Sequence, residues 1–203
     1  SLNQGGGFVK SDPALDVPDL QLYFSPLSYS TAPFGRRPLM MPDPYPAVRL
    51  GFSLCKPTSE GSISIQSGDS SVPPKFFGNY LSTRYDQKTM ISGMKLMRKL
   101  SATDALQKII HTEMSPGKDV KSDAELLEYA RLNGETVFHQ CGTCRMGDDP
   151  ANSVVDGKLK VRGVYGLRVA DASIFPTIPS GNINAPSIMV GEKAAELILQ
   201  ENK

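Results

Sequence analysis

The sequence has little of what nucleic-acid binders and membrane proteins require. Its 203 residues carry 22 basic and 21 acidic side chains, a formal net charge of +1, so the positive footprint that tracks a phosphate backbone is missing. There is no apolar run long enough to span a bilayer, which takes about 18 residues. Three cysteines, Cys55, Cys141 and Cys144, are too few and odd in number for a disulfide framework. This favours a reducing compartment and a soluble, cytoplasmic protein. The first ten residues (SLNQGGGFVK) lack a basic segment followed by an apolar stretch, so no secretory signal is visible. The start at Ser1 rather than Met leads us to expect an excised or processed piece. Glycine and proline, by contrast, are plentiful at 18 and 16 residues, above average usage. They argue for turns and returning loops and against an all-helical bundle.

Periodicity organises the rest. The Gly5–Gly7 triplet and the stretch from Pro33 to Pro46 show no sustained period and read as linker or loop. Leu20, Leu22 and Phe24 alternate with Gln21 and Tyr23, and Val48 to Leu54 alternates likewise, the mark of strands with one buried face. Ile63 and Ile65 alternate with serines and Gln66, bounded by Gly61 and the cluster from Ser67 to Ser71; a small antiparallel sheet of these three strands is expected. From Asp86 the period becomes helical, with Met90, Ile91, Met94 and Met97 on one stripe that reads as core. Ser122 with Glu125 is a capping-box pattern for a helix carrying Leu126, Leu127 and Ala130 and stopping near Asn133-Gly134. A last helix runs from Ser187 to about Gln200 with Ile188, Ala195, Ile198 and Leu199.

Two stretches carry chemistry. In Thr136 to Gly147 (TVFHQCGTCRMG) a β-type entry delivers His139 into a loop with Cys141, Cys144 and Arg145, and three readings compete. His139, Cys141 and Cys144 are metal-ligand types, but no second CxxC or HxxxH completes a tetrahedral set. Cys141-Gly-Thr-Cys144 has redox CxxC spacing, yet it runs into a turn rather than opening a helix. His139 can serve as a general base or acid. His111, beside Leu106, Ile109 and Ile110 on a helical stretch, reads as structural. In Gly166 to Glu192, a short strand of Leu167, Val169 and Ala170 ends at Asp171, and the loop Ser180 to Pro186 leads into the last helix. Its amides and the helix N-terminus suit an anionic or electron-rich group, while Asn182 and Asn184 also fit ordinary turn or cap roles.

Taken together and in order, FHQCGTCRMG, VVDGKLKVRGVYGLRVADASIFPT and SGNINAPSIMVGEKAAELI resemble the C-terminal signature of the glucose-methanol-choline (GMC) oxidoreductases. Upstream, KPTSEGSISIQSGDSSVPPKFFGNYLST followed by Asp86 resembles the same family's preceding segment, so the likeness covers about Pro18 to Ile198. The resemblance implies an α+β fold, an antiparallel sheet with helices packed on one face, plus a C-terminal segment that belongs to an FAD-binding α/β domain. It implies residues 1–15 as a linker or disordered start, 16–149 as a substrate-binding domain and 150–203 as the segment returning to the FAD-binding domain. It further implies His139 as catalytic base and acid beside the flavin, Asn184 as the second active-site residue, Asp171 and Ala172 near the FAD diphosphate region, and Asn182, Ala185 and Pro186 bordering the flavin. Both thiol readings recede, because the family's equivalent loop uses no metal.

The implied reaction takes a proton and a hydride from a primary or secondary alcohol; a hydroxynitrile lyase on the same scaffold is the competing class. Two departures stand out. Glu60 occupies a position where the family usually has Arg, and nothing in these residues supplies the strand-GxGxxG-helix fingerprint that binds the ADP half of FAD. The partners implied are therefore an alcohol and an N-terminal FAD-binding part of the same enzyme, and the chain alone is expected to be inactive. Tyr80, Phe77, Met40 and Met41 are candidate cavity residues.

Overall fold

Alternation at Leu20, Leu22 and Phe24 and at Leu50, Phe52 and Leu54 produces strands in the computed structural model, which describes residues 3–29 and 41–201. Strand β1 is Gly5–Val9, β2 Leu20–Ser25 and β3 Arg49–Leu54, and they form an antiparallel sheet in the order β1-β2-β3. The register sets Leu22 opposite Phe52 and Phe24 opposite Leu50, so apolar side chains pair across the ladder. The Gly5–Gly7 triplet, expected to be linker, is instead the core of an edge strand. Close backbone approach is the reason: a Cβ on Gly6 would stand 2.3 Å from the Leu22 carbonyl oxygen, so the segment pairs because it lacks side chains. Ser1 and Leu2, and Pro33 to Met40 of the proline-rich stretch, lie outside the described residues.

The third expected strand exists but does not join that sheet. β4, Ser62–Ser64, pairs antiparallel with β5, Lys75–Phe77. Between them Asp69 turns the chain back, accepting from the Ser71 N–H through its carboxylate and from the Val72 N–H through its carbonyl. A partner so near in sequence costs little loop-closure entropy, and that local pairing prevails. Ile65 falls beyond the strand and is exposed.

By packing, the chain divides into two compact units, Ser1–Leu54 with Thr83–Glu135, and Cys55–Ser82 with Thr136–Lys203. In the first, α1 (Arg84–Ser101) starts at Thr83, whose hydroxyl accepts from the Asp86 N–H, and packs on β3. Its buried line is Asp86, Thr89 and Gly93; the methionines flank that line and are half-buried. The small line is favoured because Phe52 lies flat against Gly93, where a Cβ would stand 2.3 Å from the ring. A short α2 (Asp104–Gln107) follows, and His111 lies beyond its end, exposed, rather than on a helix. Helix α3 (Asp123–Asn133) has the expected capping box of Ser122 and Glu125, stops at Gly134, and buries Leu126 and Ala130. The Arg98 guanidinium holds the segment between α2 and α3, donating to the Glu113 carboxylate and to the Gly117 and Val120 carbonyls.

A buried carboxylate that periodicity does not signal ties the start of the chain to α1. Asp19, only 4% exposed, accepts from the Ser11 N–H and hydroxyl at 2.7 and 2.6 Å and from the Tyr85 hydroxyl at 3.4 Å. Burial, and then the Asp19 charge, hold the Tyr85 phenol above its ordinary value. A phenol raised in this way contributes stability that is complete below the unfolded-state value, about 10, and is lost as pH rises through the folded-state value. Tyr85→Phe is therefore expected to flatten the alkaline fall of the melting temperature while leaving the neutral-pH plateau nearly level. An alkaline limb identical to that of the wild type would refute the assignment.

Candidate active site

The second unit is built around Val155, Leu159, Ile174, Phe175, Val190 and Ala194. Helix α4 (Asn184–Glu201) begins three residues before the expected Ser187 and turns Val190, Ala194 and Leu197 inward. The Ile188, Ile198 and Leu199 expected on its apolar side are exposed. An apolar helix gives periodicity no clear face to select.

Two polar segments are pinned to this core at neighbouring points. The first is the His139 loop. Cys141 and Met146 pack against the core, and the N–H groups of Cys144 and Met146 donate to the carbonyls of Ser173 and Ile174 at 2.9 and 2.8 Å. The receiving 3₁₀ turn, Ala172–Ile174, is capped by Asp171, whose Oδ1 accepts from the Ser173 N–H at 2.7 Å. The second segment is the loop before α4. Ile183 reaches the core, and its carbonyl accepts from the Ser187 N–H and hydroxyl.

With Cys141 and Ile183 anchored, the polar residues just before them meet: His139 Nε2 lies 2.8 Å from Asn182 Oδ1. The other ring nitrogen, Nδ1, is buried and has no hydrogen-bond partner among the described residues. As the amide is oriented, Nε2 carries the proton and donates it to Asn182. The carboxamide offers either face, so the same pair can also present a bare Nε2 to an N–H₂.

Asn182, expected beside the cofactor, makes the hydrogen bond to His139. Asn184, expected as the second active-site residue, opens α4 with its side chain exposed. Ile183 between them is anchored in the core, so the two asparagines have separate surroundings. Ala172 packs against the core, Asp171 and Ala185 are exposed, and Pro186 lies half-buried in the first turn of α4. Phe77 and Tyr80 are exposed in this unit; Met41 is exposed in the other, and Met40 lies outside the described residues.

Among the described residues the thiols of Cys55, Cys141 and Cys144 make no disulfide and join no metal-ligating cluster. Burial pushes the Cys141 thiol up, with Arg145 pulling weakly the other way, opposite to what a reactive thiolate needs. Arg145 instead pairs with Glu60 at 3.0 Å, so the family's departure at Glu60 creates an ion pair. That pair is largely solvated and contributes little by itself.

Within an α+β fold, two core-anchored loops thus hold a histidine against a carboxamide. The GMC oxidoreductase family model matches residues 57–191, and the chain belongs to that family, whose members are FAD-dependent flavoproteins. It is 43% identical over 202 residues to an alcohol dehydrogenase [acceptor] of Pseudomonas putida, covering 98% of this chain and 35% of the relative. It is 40% identical over 194 residues to an oxygen-dependent choline dehydrogenase of Rhizobium johnstonii, covering 95% and 34%. The pyridoxine 4-oxidase structure from Mesorbium loti superposes with a TM-score of 0.83 at 27% identity, covering 96% of this chain and 37% of that one. The chain thus spans about a third of the length of the relatives it matches. No helix among the described residues is long and apolar enough to cross a membrane. The residues present are compatible with a flavin: Asn182 is exposed, the buried Nδ1 of His139 has no hydrogen-bond partner among the described residues, and the start of α4 offers a positive dipole end to an electron-rich ring edge.

Proposed function

We propose that this chain is the catalytic end of an FAD-dependent oxidoreductase that converts a primary or secondary alcohol to a carbonyl compound, with His139 as general base. The observation that carries the reading is the 2.8 Å pairing of His139 Nε2 with Asn182. With the carboxamide turned over, so that Nε2 is bare and faces the N–H₂, an alcohol hydroxyl entering between them meets an imidazole nitrogen that accepts its proton and a carboxamide N–H that donates to its oxygen as negative charge develops. A bound flavin would supply the acceptor for the hydride on the carbon that bears the hydroxyl. His139 holds the proton, and Asn182 fixes the hydroxyl so that the C–H bond points one way. Asp171, Ala172, Asn182, Ala185 and Pro186 are the residues proposed to border the cofactor, with Asp171 and Ala172 toward its diphosphate region.

In the complete enzyme, residues 16–149 are proposed to form the substrate-binding part and 150–203 the segment shared with the FAD-binding part. The 203 residues by themselves, lacking a phosphate-cradling glycine loop, are proposed to have no alcohol-oxidising activity. The experiment is anaerobic bleaching of the flavin in the complete, flavin-loaded enzyme by ethanol, 1-butanol, benzyl alcohol or choline. Reduction by at least one supports the reading, and reduction by none overturns it.

Asn182→Ala is expected to lower kcat about 100-fold, the scale for losing one preorganised donor, whereas Asn184→Ala lowers it much less. Steady-state kinetics on both variants checks the order; the reverse order would return the second active-site role to Asn184.

A further inference from the structure

Left-handed backbone at non-glycine residues concentrates in two places. Among the described residues Asn79, Leu81, Phe138 and Leu159 have positive φ, of +49°, +55°, +59° and +65°. Asn79 and Leu81 flank Tyr80, and Phe138 immediately precedes His139. Bulky residues are held in this region only where surrounding contacts overdetermine them, and such strain gathers where a side chain must be aimed.

The contacts that hold it join the two places. Gln140, the residue after His139, donates from Nε2 to the Tyr80 hydroxyl at 2.6 Å and to Thr136 Oγ1 at 2.5 Å. Thr136 Oγ1 also accepts from the N–H of the strained Phe138 at 3.0 Å. His139 therefore sits between two residues fastened to one threonine oxygen, and that cluster is tied to Tyr80. On the Tyr80 side, Asn79 Nδ2 donates to the Glu60 carbonyl at 2.8 Å and the Ser82 N–H to Ser59 Oγ at 2.9 Å, so the residue holding the loop is itself held. All of these residues belong to one packing unit.

We propose that Tyr80 is a positioning residue, acting through Gln140 and Thr136 to hold the left-handed turn at Phe138 that aims His139. The proposal rests on the reading of His139 as the base. A hydrogen-bonded clamp of this kind raises the fraction of molecules in which the imidazole is correctly placed, and it acts on the rate of the chemical step more than on substrate binding.

The test removes one oxygen. In the complete, flavin-loaded enzyme Tyr80→Phe is expected to lower kcat for the best of the four alcohols about 10-fold, with KM within about twofold and an unchanged melting temperature. In the His139→Ala background Tyr80→Phe is expected to have no further effect, because the group it positions is gone. Amide exchange of the peptide spanning 136–144 is expected to speed up in Tyr80→Phe whatever the alcohol activity. A raised KM with unchanged kcat would make Tyr80 a substrate contact and overturn the proposal. So would multiplicative effects in the double variant, or wild-type exchange in the 136–144 peptide. If His139→Ala itself retains the wild-type rate, the general-base reading fails, while the exchange measurement still decides whether Tyr80 holds the loop.

Discussion

His139→Ala, made in the complete enzyme, is expected to slow alcohol-driven flavin reduction by about 10² to 10⁴, the usual contribution of a positioned general base. The bound flavin spectrum is expected to stay in place. The separation follows from the architecture. The His139 ring contributes a hydrogen bond to Asn182 but is not part of the core, which is made by Val155, Leu159, Ile174, Phe175, Val190 and Ala194. Deleting the imidazole therefore removes chemistry without opening a cavity among those residues. Stopped-flow reduction at several pH values checks it, since the limb of the pH–rate profile that reports the base should vanish in the variant. Near-wild-type reduction would show that the alcohol proton leaves by another route. Loss of the flavin would show that His139 has a structural duty as well.

Gly93→Val is expected to cost about 3 kcal/mol of folding stability, at the upper end for overpacking a filled site. Glycine within a helix is ordinarily a weakness of about 1 kcal/mol relative to alanine, and a repair at an exposed position would stabilise. Here the sign reverses, because a Cβ at 93 would stand 2.3 Å from Phe52 Cε2 and 2.7 Å from two further ring atoms. Phe52 is not free to withdraw: it lies in β3 and pairs with Leu22 of β2. Even Gly93→Ala is expected to destabilise, and adding Phe52→Leu is expected to recover part of the loss, a coupling that thermal melts of the two single variants and the double variant measure. A Gly93→Ala protein more stable than the wild type would mean that helix and sheet separate easily at this point.

What could be read from residues alone was local. Ser122 and Glu125 are three apart and cap α3 as their spacing implies, because both partners of the interaction lie in one turn of chain. Ile63 suggested a strand, but its partner depends on the turn at Asp69, so the sheet it joins was not legible. Gly5–Gly7 gave no strand signal because that signal is carried by side chains, and here the pairing is backbone alone. At the site, the resemblance implied His139 and Asn184 as the active-site pair, while the hydrogen bond to His139 is made by Asn182, two residues earlier. The anchoring of Ile183 in the core, which gives the two asparagines separate surroundings, carries no signal in the sequence. Tyr80 and Gln140 are 60 residues apart, and no period or motif links positions that distant.

The grouping of residues into packing units also dictates where this enzyme can be recombined with a relative. His139, Gln140, Asn182 and Tyr80 all lie in the unit made of Cys55–Ser82 and Thr136–Lys203, two stretches separated in the gene by the segment encoding α1 to α3. A chimera that exchanges only the C-terminal stretch would bring a foreign His139 loop against a native Tyr80. Crossovers placed near Leu54, Thr83 and Glu135 would transplant His139 together with every residue hydrogen-bonded around it and leave α1 to α3 and the three-stranded sheet from the original parent.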